Sequence, residues 1–345
     1  MINIISKSVL AKTTNGPAKV VHNLIKGLDI IKYPYIINKA LNSAPLLWIH
    51  DDLEAYLRIN QLDERIKILV GPNFAFPPLT DKLKPRFVLL QPSAWARDFC
   101  LKFRYDQGPV EAWATGIDVA DFSASTKAKT KVLIYFKERY PWELDFAVSI
   151  LAGKGLDFEI IRYGNYKESD YKNLLSQSKY IIWIGRQESQ GIALQEALAS
   201  DVPIIVWDVK NIGHWQPLFK HNLNFFSPAE RAYDKTTSAP YFSDKCGRII
   251  LEKEQLAEMV DYFETNRHNF QPREYLASEL SLEKKARDFL AIYKKYFQAD
   301  PDSYGTDFFP VKQRYKKWRN DFWHYRQYYL AREYFKKIIK PYLTR

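Results

Sequence analysis

Glu188 and Glu196 bracket the stretch Glu188-Ser-Gln-Gly-Ile-Ala-Leu-Gln-Glu196, with Ala-Leu-Ala-Ser-Asp-Val-Pro-Ile-Ile-Val-Trp-Asp208 directly behind it. Carboxylates accept hydrogen bonds and donate none, so two of them converging on one cleft suit a ligand rich in hydroxyls. Their flanks decide whether they converge. Residues 180–184 and 202–207 are short apolar runs of the kind that form buried parallel strands, and 190–198 between them has helical character. Glu188 is therefore expected in a strand-to-helix loop, with Glu196 about two turns further along the same side. Loops at the carboxyl ends of parallel strands are where open α/β sheets bind their ligands.

The rest of the chain supplies a frame of that kind. Strands are expected at 2–6, 45–50, 66–70, 86–90 and 110–114, with helices at 18–31 and 94–102. The polar stretch Ser123-Ala-Ser-Thr-Lys-Ala-Lys-Thr130 breaks the alternation and reads as a linker. The series then restarts, with strands at 131–136 and 157–163, helices at 142–152 and 170–178, the two strands around the glutamates, and helices at 254–264 and 281–297. Alternation of this sort implies parallel sheets flanked by helices, in two Rossmann-like domains facing a central cleft. The expected division is 1–127, 128–298 and a helical tail at 299–345.

The segment from Glu188 to Asp208 resembles the E-x7-E signature of retaining glycosyltransferases of GT-B architecture, most of all glycosyltransferase family 4. The likeness runs over roughly residues 1–297. Asn15-Gly16-Pro17-Ala18-Lys19 resembles the glycine loop and first helix of the acceptor-side domain, with one glycine where the family usually has two. Leu89-Leu-Gln-Pro-Ser93 and Ala114-Thr-Gly116-Ile-Asp118 resemble later segments of that domain. The resemblance implies transfer of a sugar, with retained configuration, from a nucleotide diphosphate sugar such as a UDP- or GDP-sugar to a glycan or lipid-linked acceptor. It implies that Glu188 holds the donor sugar's hydroxyls and Glu196 the ribose of the nucleotide, with Ser189, Gln190 and Gly191 beside them. A basic pair after the first strand of the second domain faces the leaving diphosphate in this family, which points to Lys137 and Arg139. The family's second cation usually comes several residues later, and there is none between Tyr140 and Gly153. Arg186 is a further cation within reach of the cleft. Gly16 would bring backbone amides to a phosphate, and Gly164 would let the base approach the chain. Asn73 stands where the family often has a histidine. His50, with Asp51 next to it, resembles a second histidine-bearing position at the acceptor side. No general base is assigned. A sugar-nucleotide epimerase of the same fold and a non-catalytic sugar-nucleotide or nucleic-acid binding protein are the rival readings.

Composition sets the outer limits. With 345 residues, 46% hydrophobic and 26% charged, the chain has room for two domains with cores of their own. Of the net charge of +11, nine units lie in 311–345, where eleven Lys or Arg meet only Asp321 and Glu333. The body is close to neutral, so no nucleic acid is expected on it. Tyr315, Trp318, Phe322, Tyr325 and Tyr329 form one stripe if that tail is helical. Three readings stay open there: packing against the body, a peripheral membrane contact, or nucleic-acid binding. Two distant cysteines and the lack of a leader or span favour a cytoplasmic protein, at a membrane surface if the tail binds one. No metal or other cofactor is expected, because the sole Asp-x-Asp, Asp300-Pro-Asp302, reads as a turn outside both domains.

Overall fold

Short apolar runs become the strands of two parallel sheets. A computed structural model describes residues 1–10, 15–72, 86–105, 108–122, 129–215 and 226–298. The expectations for Asn73, most of the 123–130 linker, Asp300-Pro-Asp302 and the basic tail lie outside the described residues.

The first lobe runs β1 (Ile2–Ile5), α1 (Gly16–Ile30), β2 (Tyr35–Ile37), β3 (Leu46–Ile49), α2 (Leu53–Leu57), β4 (Lys67–Val70), β5 (Val88–Gln91), α3 (Ala94–Phe103) and β6 (Val110–Ala112). Its strands lie in the order β2-β1-β3-β4-β5-β6, every pair parallel. The second lobe runs β7 (Lys131–Lys137), α4 (Pro141–Gly153), β8 (Phe158–Arg162), α5 (Glu168–Gln177), β9 (Ser178–Gly185), α6 (Ile192–Ala199), β10 (Ile204–Trp207), α7 (Pro228–Arg231), β11 (Gly247–Ile250), α8 (Gln255–Asn266), α9 (Pro272–Glu279) and α10 (Leu282–Phe297). Its order is β11-β10-β9-β7-β8, again all parallel.

Helices cover both faces of each sheet, which is why β1, β3, β5 and β10 are buried at every position and read as unbroken apolar runs. Each lobe reverses its strand order once, between β1 and β3 in the first and between β7 and β9 in the second. At such switch points the loops leaving the two strands diverge to opposite faces and open a crevice.

The start of α1 is fixed locally. The Asn15 side chain accepts from Ala18 N at 3.0 Å, and Pro17 occupies the first turn, where its missing N–H costs nothing. Its far face packs on α10. Gly27 permits this, because a Cβ there would come within 2.5 Å of the Leu282 carbonyl oxygen. Ala286, Phe289, Ile292 and Tyr293 of α10 join the cluster of Ile2, Val21, Leu24, Trp48 and Trp113. The Tyr293 hydroxyl donates to Leu47 O at 2.8 Å, and Trp113 Nε1 donates to Lys285 O at 2.9 Å. The expected second domain of 128–298 included this helix, and the packing corrects that: α10 completes the first lobe. An amphipathic pattern shows that a helix has a partner but not which one. The elements β2, α2, α7, α9 and β11 were not foreseen either. All are short, and the edge strands β2 and β11 are defined by pairing with β1 and β10 rather than by a local run. Among the described residues no helix is long and apolar enough to cross a membrane.

Candidate active site

The loops at both switch points line one cavity of about 560 Å³. From the second lobe come Lys137 at the end of β7, Gly164 after β8, the segment Arg186 to Gly191 after β9, and Glu196 on α6. From the first come Asn15, Gly16, Pro17 and Lys19 at the head of α1, His50 after β3, Pro72 after β4, and Pro92 and Trp95 around the start of α3.

The two glutamates converge on this space, each with a lysine. Glu188 Oε1 lies 2.5 Å from Lys137 Nζ. The Lys137 ammonium also sits 4.1 Å above the Tyr163 ring, a cation–π contact. Burial pulls its pKa below the ordinary lysine value, with Glu188 opposing that pull. The Glu188 backbone is held on both sides: its N donates to Thr237 O at 3.0 Å, and Trp95 Nε1 of the first lobe donates to its O at 2.9 Å. Glu196 is ion-paired with Lys19, a residue of the other lobe. Burial pushes the Glu196 carboxyl above its ordinary range, and Lys19 counters part of that shift. Arg186 lines the same cavity, with its Nε 2.5 Å from Glu138 Oε2 and its guanidinium 5.5 Å from the Trp215 ring.

Gln190 serves as a tie between lobes. Its Oε1 accepts from Thr115 N at 3.2 Å and its Nε2 donates to Thr115 O at 3.0 Å, so the side-chain amide pairs with one residue's backbone as a neighbouring strand would. Gly191 then opens α6 at a φ of 79°, a left-handed conformation that side chains disfavour. The helix therefore begins at Ile192, two residues later than its pattern indicated. Ser189, Gly16 and Gly164 also line the cavity, as expected.

His50 reaches the cavity but is almost wholly buried, its ring 5.2 Å from that of Trp48. Its Nε2 lies 3.2 Å from Pro17 O and, facing a carbonyl, carries the proton. Burial lowers its pKa, so the imidazole is held neutral and anchors the head of α1.

Two expectations are corrected. Arg139 does not face the cavity. It is fully buried on the other side of β7, where Nε donates to Glu143 Oε2 at 3.0 Å and Nη1 donates to the carbonyls of Gly185 and Trp207, each at 3.0 Å. The cause is Glu138, whose φ of 50° turns the chain between Lys137 and Arg139 and sends them to opposite sides. Asp51 is likewise turned away: its carboxylate accepts from Lys7 N at 2.8 Å and Ser8 N at 3.1 Å, fixing the segment after β1.

Lys19, Glu168 and an aromatic group were missed by the reading of the sequence. Tyr135 and Trp183 stack with centroids 4.0 Å apart and planes 3° apart, and Tyr166 and Tyr171 adjoin them in the cavity lining. Their signal was present as aromatics inside strand runs, at the β8–α5 loop and in the first turn of α5, but a buried strand and a cavity wall have the same pattern. Among the described residues no group of three or more His, Cys, Asp or Glu could hold a metal ion.

No protein-family model matches the sequence, and no curated protein does. Solved structures do match in fold. Sucrose-phosphate synthase from Thermosynechococcus elongatus superposes with a TM-score of 0.54 at 11% identity, over 86% of this chain and 99% of that one. The lipopolysaccharide outer core galactosyltransferase WaaB gives 0.53 at 10% identity, over 85% and 99%. Anabaena HepE, in complex with UDP and glucose, gives 0.52 at 9% identity, also over 85% and 99%. At these identities the likeness is one of architecture, and with two parallel-sheet lobes around a shared cleft the chain has the GT-B fold.

Proposed function

We propose that this protein is a retaining glycosyltransferase, moving a sugar from a nucleoside diphosphate donor to a glycan or lipid-linked acceptor without a divalent ion. The observation that carries the reading is the convergence of Glu188 and Glu196, each beside a lysine, on one cavity at the switch points of both sheets. HepE, of the same fold, is described in complex with UDP and glucose, which supports a nucleotide sugar as the ligand class.

The site's chemistry follows from its charges. Glu188 accepts from hydroxyls of the donor sugar, and Glu196 from those of the ribose. The bond from the anomeric carbon to the phosphate oxygen breaks with its electron pair leaving on the diphosphate. Lys137, Arg186 and the amides at the head of α1 meet that charge, so fixed cations do the work a metal does elsewhere. An acceptor hydroxyl then attacks the same face of the anomeric carbon, and its proton passes to the departing diphosphate oxygen. His50 supplies no strong base, because burial lowers its pKa and its Nε2 is engaged by Pro17 O. In the free protein Lys137 and Glu188 neutralise each other, and a ligand offering both phosphate and hydroxyl replaces that pair on both sides.

Release of nucleoside diphosphate from a panel of UDP- and GDP-sugars tests the reading, with Glu188→Gln beside the wild type. The variant is expected to turn over about 10- to 100-fold more slowly, the worth of a hydrogen bond to a charged group. If wild type neither binds nor consumes any of the panel, the assignment fails. Interconversion of the sugar without transfer would favour the epimerase.

A further inference from the structure

Lys19 stands one turn into α1, and its ammonium reaches from the first lobe to Glu196 Oε1, 177 positions away in sequence. Glu168 Oε2 lies 3.3 Å from the same ammonium. The two carboxylates depend on it unequally. Glu168 has a second cation in Lys172, at 3.5 Å, whereas Lys19 is the one ion-pair partner of Glu196 among the described residues. Glu196 is 4% exposed.

A ribose hydroxyl gives a carboxylate a hydrogen bond but no compensating charge. Without Lys19 the buried carboxylate keeps only the more distant charge of Lys172 and is pushed towards its protonated form, which accepts less well and in a different geometry. Lys19 occupies Oε1, and among the described residues nothing donates to Oε2, so one carboxylate oxygen is oriented and available.

We propose that Lys19 is a positioning residue for the nucleotide, fixing the Glu196 carboxylate from across the cleft so that its other oxygen accepts from the ribose. The inference rests on the donor reading above and adds to it that recognition of the ribose needs a residue from each lobe. Lys19 does not touch the reacting bond.

Titration calorimetry on the full chain, with UDP and GDP each compared with its 2′-deoxy counterpart, tests this. Wild type is expected to prefer the ribonucleotide by about tenfold or more, the worth of a hydrogen bond to a charged acceptor. In Lys19→Met the preference falls to within about twofold, as it does in Glu196→Gln, while Lys19→Arg keeps it. A merely structural lysine would alter stability or overall affinity and leave this ratio unchanged. Should Lys19→Met fail to melt cooperatively, Lys19→Gln, which keeps a donor and loses the charge, reads the same ratio. A preference that survives in the neutral variant and is lost in Glu196→Gln overturns the role of Lys19 alone. Wild type that binds both nucleotides equally overturns it together with the ribose contact given to Glu196, while leaving a nucleotide-sugar donor standing, and wild type that binds neither removes the donor reading as well.

Discussion

Glu196 holds its charge at an energetic cost, and the sign of that cost can be measured. Its carboxyl is pushed above the ordinary 4.5 by burial, more than Lys19 restores. Below pH 4.5 the group is protonated in both the folded and the unfolded chain and the difference vanishes. As pH rises, the unfolded chain releases the proton first, so wild type loses stability until pH passes the folded value. Glu196→Gln has no such loss. Its melting temperature relative to wild type is therefore expected to be more favourable at pH 7 than at pH 4, and equal differences at the two pH values would refute this. Arg139 behaves in the opposite way. Arg139→Met leaves Glu143 charged and buried beside His214, which is expected to lower the unfolding free energy by about 3–5 kcal/mol in a denaturant titration. Nucleotide affinity of the folded variant stays within about twofold, because the guanidinium does not line the cavity. The sequence made Lys137, Glu188 and Glu196 readable because strand ends and helix turns fix their direction locally. It could not separate Lys137 from Arg139, since residues two apart on a strand share a face and only the positive φ of Glu138, unusual for a non-glycine, divides them. Lys19 was illegible for another reason: its meaning lies in a partner 177 positions away.

Among the elements, long apolar runs were legible and short edges were not. The seven residues of β7 and eight of β9 announce themselves, whereas β2 has three and exists because β1 offers it an unpaired edge. Helix α10 was legible as a helix over nearly its full length but not as part of the first lobe. What places it is the approach of α1, and Gly27 is the point of closest contact. In Gly27→Ala the gain in helix propensity, about 1 kcal/mol, is outweighed by a clash with a backbone carbonyl that cannot rotate away. A net loss of about 1–2 kcal/mol is expected, read as a lower urea midpoint with unchanged slope. A raised midpoint would mean that the two helices separate more easily than their packing implies.

In the whole molecule, the lobes are joined by more than the linker. Arg104, the residue after α3, pairs with Glu230 of α7 at 2.7 Å, and Trp95 and Phe99 of α3 pack with Trp215, Phe226 and Tyr233. Gln190 and Lys19 add polar ties beside the cavity. The first lobe cannot complete its own core, because one face of its sheet is covered in part by Phe289, Ile292 and Tyr293. A fragment of residues 1–122 is therefore expected to bind a hydrophobic dye and to unfold without cooperativity, while the same fragment joined to residues 281–298 through a flexible spacer recovers a cooperative transition. Cooperative unfolding of 1–122 alone would show that α10 is dispensable to that core.

The return of α10 also gives the chain a timetable. Roughly 160 residues separate Phe122 from Leu282, so at about 5–20 residues per second a ribosome needs roughly ten to thirty seconds to deliver the missing helix after the last strand of the first sheet has emerged. Through that interval the nascent first lobe presents Trp48, Trp113 and Leu24 to whatever is nearby. The half of the protein made first is finished last, which makes it the half most in need of a chaperone during synthesis.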